Sequence, residues 1–275
     1  MSWSATIQKA VSDYQNHLKQ HCTIQLQTRF DNEFTKGNPE GAISEAVIFM
    51  WLSQINLNPE VKENENDGGP DFICKHNNGE FIVEVTCFGK KALEDATLGK
   101  EELISSMERI RDGESLTYKL PLTSIKSKLS SQKKRQLSRY NMPRVLAITS
   151  LHEWAGVFWF GDKREIEKFL LSECAYKIPK NYDDEIEAET DLKNSLFLHL
   201  TKDNPPKIKY RNQFVSAVLL IPIKYDDSNL CVKPTGLLHP KPLYPLDIKV
   251  FSNIEFAQII IDEEDRSIKV DWIHT

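Results

Sequence analysis

The sequence has no apolar run long enough to cross a lipid bilayer. Its longest apolar runs, 46–52 and 215–223, fall far short of the ~20 residues that a membrane-spanning helix requires. Residues 1–20 are polar with a helical pattern, whereas a secretory signal needs an apolar centre. We therefore expect a cytoplasmic protein without a membrane partner.

Cysteine chemistry is also scarce in this chain. The five cysteines are odd in number and widely spaced, with no Cys-x-x-Cys pair, so we expect reduced thiols rather than a disulfide framework. Cys74, His76 and Cys87 have no evident fourth ligand nearby in the sequence, which argues against a zinc site. No glycine-rich phosphate loop of the GxxxxGK[S/T] type follows Gly68-Gly69, which argues against a nucleotide-binding P-loop.

The chain also has no excess of positive charge, since its formal net charge is −5. That value excludes a general nucleic-acid-coating protein, although a local basic surface still binds anions. The charges are unevenly distributed: segment 116–152 holds eight basic residues and no acid, and segment 183–191 holds six acids and no base. We interpret the acidic segment as a solvated face.

Hydrophobic periodicity predicts a mixed helix and strand protein. Residues 3–20 have the apolar spacing of an amphipathic helix, and a polar stretch follows to about residue 37. Asn38 as a cap and Pro39 at the first helical position predict a helix to about residue 54. Further predicted elements are strands at 57–63, 71–76 and 80–88, a basic helix at 122–140 and a strand at 144–150.

The second half of the sequence is also mixed. It predicts strands at 156–160, 214–223 and 256–264, a helix at 163–171 and an extended, proline-rich stretch at 239–246. No internal repeat or clean linker divides the chain. We therefore expect a single domain over 1–275, with a core at about 38–150 and a C-terminal elaboration at about 151–275.

Two acidic residues belong to the best predicted strands. Asp71 follows Gly68-Gly69-Pro70, and Glu84 lies inside the apolar run 81–86. A tight turn at 76–79 joins the strands antiparallel, and both acids are equally far from it, so they are expected to be cross-strand neighbours. Two adjacent carboxylates repel each other unless one is protonated or a cation lies between them, and hard oxygen ligands suit Mg²⁺ or Mn²⁺.

A third acid interrupts the apolar helix before these strands. Glu45 shares a helical stripe with Ala42 and Phe49, so it is expected to point toward the sheet if that stripe faces the core. Three acids at positions that converge on one place favour a metal site over coincidence, because unpaired acids are rarely buried.

The acidic positions resemble the motifs of the PD-(D/E)XK nuclease superfamily. The resemblance rests on Gly69-Pro70-Asp71, on Glu84-Val85-Thr86 and on the helical Glu45 upstream. The predicted order across 39–150, which is helix, three strands, helix, strand, is also that of the superfamily's core. The resemblance implies an α/β fold with a restriction-endonuclease-like core, a mixed sheet flanked by helices, and a mixed α+β C-terminal elaboration.

The same resemblance implies roles for individual residues. Asp71 and Glu84 would ligate the metal, the backbone carbonyl of Val85 would assist, and Glu45 would be a further ligand or orient a water. The sequence departs from the motif at Thr86, where the family has a lysine that stabilises the attacking hydroxide and the charge on the phosphate.

In some members of the superfamily that lysine lies on the following helix. Lys126, Lys128, Lys133 and Lys134 are the candidates in this chain. We favour Lys128 because Ile125 and Leu129 flank it and Gln132 shares its face; solvent exposure of all four lysines is an equally weighted alternative.

The resulting hypothesis is a Mg²⁺- or Mn²⁺-dependent endonuclease that favours DNA over RNA and is compatible with a homodimer. Contacts with backbone phosphates are expected from the basic helix, through Lys126, Lys133, Lys134 and Arg135. The alternatives are a catalytically inactive nuclease fold that binds nucleic acid, which Thr86 favours, and a protein-interaction module without a metal site.

Overall fold

The computed structural model describes residues 3–62, 69–76, 79–89, 140–152, 163–171, 174–177, 187–190, 192, 195–204, 207–226, 228–262 and 267–275. The predicted strand at 156–160 and nearly all of the predicted basic helix at 122–140 lie outside these residues.

Three helices open the chain: α1 (Ala5–His21), α2 (Ile24–Thr35) and α3 (Pro39–Gln54). Helix α3 begins as the sequence predicts, because Oδ1 of Asn38 accepts a hydrogen bond of 3.2 Å from the Gly41 N–H and Pro39 occupies the first turn. Helix α1 confirms the prediction for 3–20 and buries its apolar stripe. Helix α2 occupies the segment that the sequence analysis described only as a polar stretch.

Four strands of the main sheet follow α3: β1 (Glu60–Val61), β2 (Phe72–His76), β3 (Gly79–Cys87) and β4 (Arg144–Ser150). Strands β2 and β3 form the predicted antiparallel hairpin, and β4 runs parallel to β3. Of the segment predicted as a strand at 57–63, the structure assigns Glu60–Val61 to β1. The Lys62 N–H also donates to the Asp71 carbonyl, and the Lys75 N–H donates to the Leu57 carbonyl.

The remaining elements extend the main sheet, pack on it or form separate strand pairs. They are α4 (Lys163–Leu171), β5 (Cys174–Lys177), β6 (Glu187–Thr190), β7 (Leu198–Leu200), β8 (Ile208–Tyr210), β9 (Ala217–Tyr225), β10 (Leu230–Val232), β11 (Thr235–Leu238), a 3-10 turn (Ile248–Val250), β12 (Glu255–Asp262) and β13 (Ser267–His274). Among the described residues the main sheet has the order β1-β2-β3-β4-β9-β11-β12-β13, with β10 also paired to β9, and β5-β6 and β7-β8 form separate pairs.

The protein is therefore α/β with a mixed sheet of parallel and antiparallel strands. Strand β9 is parallel to β4, whereas β11 is antiparallel to β9 and parallel to β12. The C-terminal strands continue the sheet that β1–β4 begin, so both halves of the chain contribute strands to it.

Two apolar clusters cover the two faces of the sheet. The first packs α1, α2 and α3 against one face, which includes Phe72, Val83 and Ala147. The second lies on the opposite face, where α4, Leu192 and residues 196–198 pack with Ile82 and Ile148. This arrangement follows from the alternation of side chains along each strand, and it explains why β4 is buried along its whole length.

Within the part of the chain that the structure describes, no helix is both long and apolar enough to span a membrane.

Candidate functional site

The β2–β3 hairpin brings the two predicted strand acids opposite each other. Phe72 is paired with Val83, and the register continues to His76 and Gly79 at the turn. Asp71 stands one residue before β2, so the same register places it opposite Glu84. The sequence predicts this relationship because a short turn and a side-chain period of two leave one register for the hairpin.

Asp71 is held in place by the backbone of the neighbouring strand. The N–H of Ile82 donates to the carbonyl of Pro143, on the β4 side, so the N–H of Val83 and that of Val85 point toward β2. Strand β2 is too short to supply a carbonyl to Val85, and Oδ2 of Asp71 accepts that hydrogen bond at 2.6 Å instead. The bond orients the Asp71 carboxylate at the edge where β2 ends.

Glu84 occupies a buried position in the middle of β3. Its side chain is only 6% exposed, as is that of Thr86, and both share a face with Ile82, which belongs to the second apolar cluster. Removing a carboxylate from water at such a position costs free energy unless its charge is balanced. A carboxylate placed there is typical of a functional position rather than a solvated surface.

Glu45 lies on α3, which packs against the sheet face opposite to the one that Glu84 shares with Ile82. Ala42 and Phe49 are buried, which shows that their stripe on α3 faces the core. The Tyr14 hydroxyl on α1 donates a hydrogen bond of 2.6 Å to Oε1 of Glu45. The Tyr14 ring is fully buried and lies 4.9 Å from the Phe49 ring, so packing fixes the position of the donor.

The pKa of the Tyr14 phenol depends on the negative charges near it. Burial raises the pKa of its phenol well above the usual value, and the negative charges of Glu45 and Asp71 raise it further. The charges of both acids therefore act on one buried hydroxyl. Burial and the charge of Glu45 also raise the pKa of Cys22, which lies at the end of α1.

A cleft lies next to Cys22, at the end of α1. It has a volume of about 340 Å³ and is lined by His17, His21, Cys22, Pro59, Glu60, Val61 and Lys62. The rings of His17 and His21 lie 4.6 Å apart, and burial together with the charge of His21 lowers the pKa of His17. Cys22 lines this cleft, and its thiol is the group whose pKa the charge of Glu45 raises.

The carboxylates of Asp71 and Glu84 suit a hard divalent cation by chemistry. In the described ranges of the chain, no group of three or more His, Cys, Asp or Glu side chains is positioned to hold a metal ion. A pair of carboxylates is a sufficient protein contribution for Mg²⁺, which usually keeps several of its waters. Asp71 and Glu84 are thus the pair that fits, with Glu45 bonded to Tyr14 on the helical side.

The predicted basic residues cannot be placed relative to these acids. Lys126, Lys128, Lys133, Lys134 and Arg135 lie outside the described residues. Their roles in binding phosphate or in replacing the motif lysine therefore remain predictions from the sequence.

Tyr14 is the residue that sequence reasoning missed. It belongs to the apolar stripe of α1 and was interpreted there only as a core residue. The single available signal is chemical: a tyrosine hydroxyl at a buried position needs a hydrogen-bond partner, but nothing in the sequence indicates that Glu45 is that partner.

Comparison of the chain with protein-family models, with curated proteins and with solved structures finds no match in any of the three.

Proposed function

We propose that this protein is a metal-dependent nuclease that hydrolyses phosphodiester bonds, with DNA as its substrate. The observation that carries the proposal is the pairing of Asp71 with Glu84 by the register of β2 and β3, together with the Asp71–Val85 hydrogen bond that orients the first carboxylate. Two acids opposite each other on adjacent strands would provide a ligand pair for Mg²⁺ or Mn²⁺.

The order of the described elements supports the same proposal. Helix α3, the three strands β1–β3 and strand β4, parallel to β3, follow the order expected of a restriction-endonuclease-like core. In that proposal Asp71 and Glu84 hold the cation, the Val85 carbonyl assists, and Glu45 orients a water or adds a ligand. The bound ion would lower the pKa of a bound water and polarise the phosphate.

Positive charge at the reacting phosphate comes from a lysine in this proposal. Thr86 replaces the lysine of the motif, so we assign that role to Lys128. The developing negative charge of the phosphate is stabilised by a cation held near it, whereas the metal ligands are unaffected by that cation.

A second candidate function is a nuclease fold that binds nucleic acid without cleaving it. Thr86 at the motif position favours this candidate. Cleavage and metal binding need to be measured separately to distinguish the two.

The test is a plasmid-cleavage assay with Mg²⁺, with Mn²⁺ and with a chelator, run on the wild type, Glu84→Gln and Glu80→Gln. Glu80 is the matched control because it lies on the same strand, four positions earlier, and is exposed. We expect metal-dependent cleavage by the wild type and by Glu80→Gln, and none by Glu84→Gln. Retained cleavage by Glu84→Gln overturns the assignment of the site.

Metal binding is measured in parallel by the shift of the melting temperature with Mn²⁺. A shift in the wild type that Glu84→Gln abolishes, without cleavage by either protein, identifies the inactive binding module. No shift and no cleavage by the wild type overturn both candidates and favour a protein-interaction module.

A further inference from the structure

Strand β13 is the last strand of the main sheet. It pairs with β12 over eight residue pairs, from Glu255 opposite His274 to Asp262 opposite Ser267. No strand among the described residues pairs with its other side. A long edge strand of this kind offers a row of backbone N–H and C=O groups to another strand.

The two faces of β13 differ in character. Ile268, Val270 and Trp272 are half-buried and pack against the second apolar cluster, whereas Lys269 and Asp271 point to the solvent on the other face. Trp272 is further fixed by α4, because its Nε1–H donates to Oε1 of Glu167 at 3.1 Å and the Lys163 amine lies 4.5 Å from the centre of its ring.

The two charges on the outer face have no opposite charge directly across the sheet. Lys269 is paired with Ile260 on β12, and Asp271 is paired with Gln258. A lysine on an edge strand ordinarily discourages pairing with another strand. In β13, however, an acid stands two residues away on the same face, so the edge carries both signs of charge.

We propose that two copies of this chain pair through β13, antiparallel about a two-fold axis at Val270, to form a continuous sheet across a homodimer. In that register Lys269 lies opposite Asp271 of the second copy, and Asp271 lies opposite Lys269 of the second copy. Opposite charges directly across an antiparallel pair stabilise it, and like charges destabilise it.

The apolar face of the strand matches in the same register. Val270 meets Val270 of the second copy, and Ile268 meets Trp272 of the second copy, so half-buried apolar residues lie opposite apolar residues. A two-fold interface uses the same surface on both subunits and must be complementary to itself. The central residues of the strand, 268–272, meet that condition.

Neighbouring two-fold registers fail the same condition. Centring the pair on Lys269 places two lysines opposite each other, and centring it on Asp271 places two aspartates opposite each other. Of the registers centred on Lys269, Val270 and Asp271, only the one centred on Val270 places opposite charges across the pair. The proposal is independent of the proposed nuclease activity.

The test uses charge reversal and sedimentation of the full-length chain. In Lys269→Asp the homodimer would contain two acid pairs, and in Asp271→Lys it would contain two lysine pairs, so each variant should weaken dimerisation by about tenfold or more. A mixture of the two variants restores an acid opposite a lysine at both positions, and it should dimerise again as a heterodimer.

The control is Lys207→Asp, which makes the same change of charge at an exposed residue of another segment. It should dimerise as the wild type does and should gain nothing from mixing with Asp271→Lys. Melting curves establish that each variant is folded. A wild type that stays monomeric over its whole soluble range, or dimers that are unaffected by both reversals, would overturn the proposal.

Discussion

The Tyr14 hydroxyl donates a hydrogen bond of 2.6 Å to Oε1 of Glu45, 31 residues further along the chain. Tyr14 is fully buried on α1, so its polar atom must find a partner inside the protein. Glu45 supplies a carboxylate acceptor from α3, and a charged acceptor makes the bond stronger than one between neutral groups. The bond joins two helices beside the candidate site.

Replacing Tyr14 with phenylalanine should therefore lower the free energy of unfolding by roughly 1.5–3 kcal/mol, the range for hydrogen bonds to charged groups. The variant keeps the ring that packs against Phe49 and loses only the donor. Urea unfolding monitored by circular dichroism measures the change. Combining it with Glu45→Ala in a double-mutant cycle isolates the bond, and additive effects of the two substitutions would contradict a direct interaction.

Substitutions at Asp71 should separate its structural role from its proposed catalytic one. Asp71→Ala removes the acceptor of the Val85 N–H and should destabilise the fold by about 1–3 kcal/mol. Asp71→Asn keeps an oxygen that accepts this bond, so its unfolding free energy should stay closer to that of the wild type. Both variants should lose metal-dependent cleavage, because both lose the negative charge. Cleavage by Asp71→Asn at the wild-type rate would show that the charge is not used.

Lys128→Ala should reduce the turnover number strongly and leave the Mn²⁺-induced melting shift in place. The expected role of this lysine is to stabilise charge on the phosphate rather than to bind the metal. Single-turnover cleavage measures the loss, and Lys126→Ala provides the control on the same predicted helix. Adding Thr86→Lys should partly restore cleavage, since position 86 shares a face with Glu84. Equal losses in the two alanine variants would argue against a specific role for Lys128.

Charge reversal at Lys133 and Lys134 should act on binding rather than on chemistry. Fewer counterions are released when fewer phosphates are neutralised, so the plot of log affinity against log salt should become less steep by about one unit for each lost contact. Fluorescence anisotropy with labelled DNA at several salt concentrations gives the slope. A slope identical to that of the wild type would locate the binding surface elsewhere.

The acid stability of the protein should depend on His239. Its Nδ1 accepts the Lys241 N–H at 2.9 Å and its Nε2 lies 2.6 Å from the Arg211 carbonyl, which requires the neutral ring with the proton on Nε2. Burial lowers the pKa of His239 to about 4. Between the unfolded pKa of about 6.5 and this value, only the unfolded chain takes up the proton.

The free energy of unfolding should consequently fall by up to about 3 kcal/mol as the pH drops from about 6.5 to about 4, and this contribution should level off below that range. Urea unfolding at a series of pH values measures it. His239→Gln should remove this part of the pH dependence, whereas His21→Gln, at an exposed position, should retain it. A pH profile of His239→Gln parallel to that of the wild type would refute the assignment.

Local patterns predicted several elements correctly. Helix α3 and strand β4 have the predicted bounds, because Asn38-Pro39 marks a helix start and the run 144–150 is apolar and β-branched. Helix α2 was missed because its sequence is mostly polar and it buries only Phe30. Its stability comes from packing on α1 and α3, which a local pattern does not contain.

The sequence by itself determined that Asp71 and Glu84 face each other, since a tight turn and the two-residue period of a strand leave one register for β2 and β3. Only the tertiary structure decided that Tyr14 lies against Glu45 and that β9 lies beside β4, joining the C-terminal strands to the same sheet. Those neighbours are far apart in the chain. Their contacts depend on how buried faces pack together, and the same apolar patterns allow many such packings.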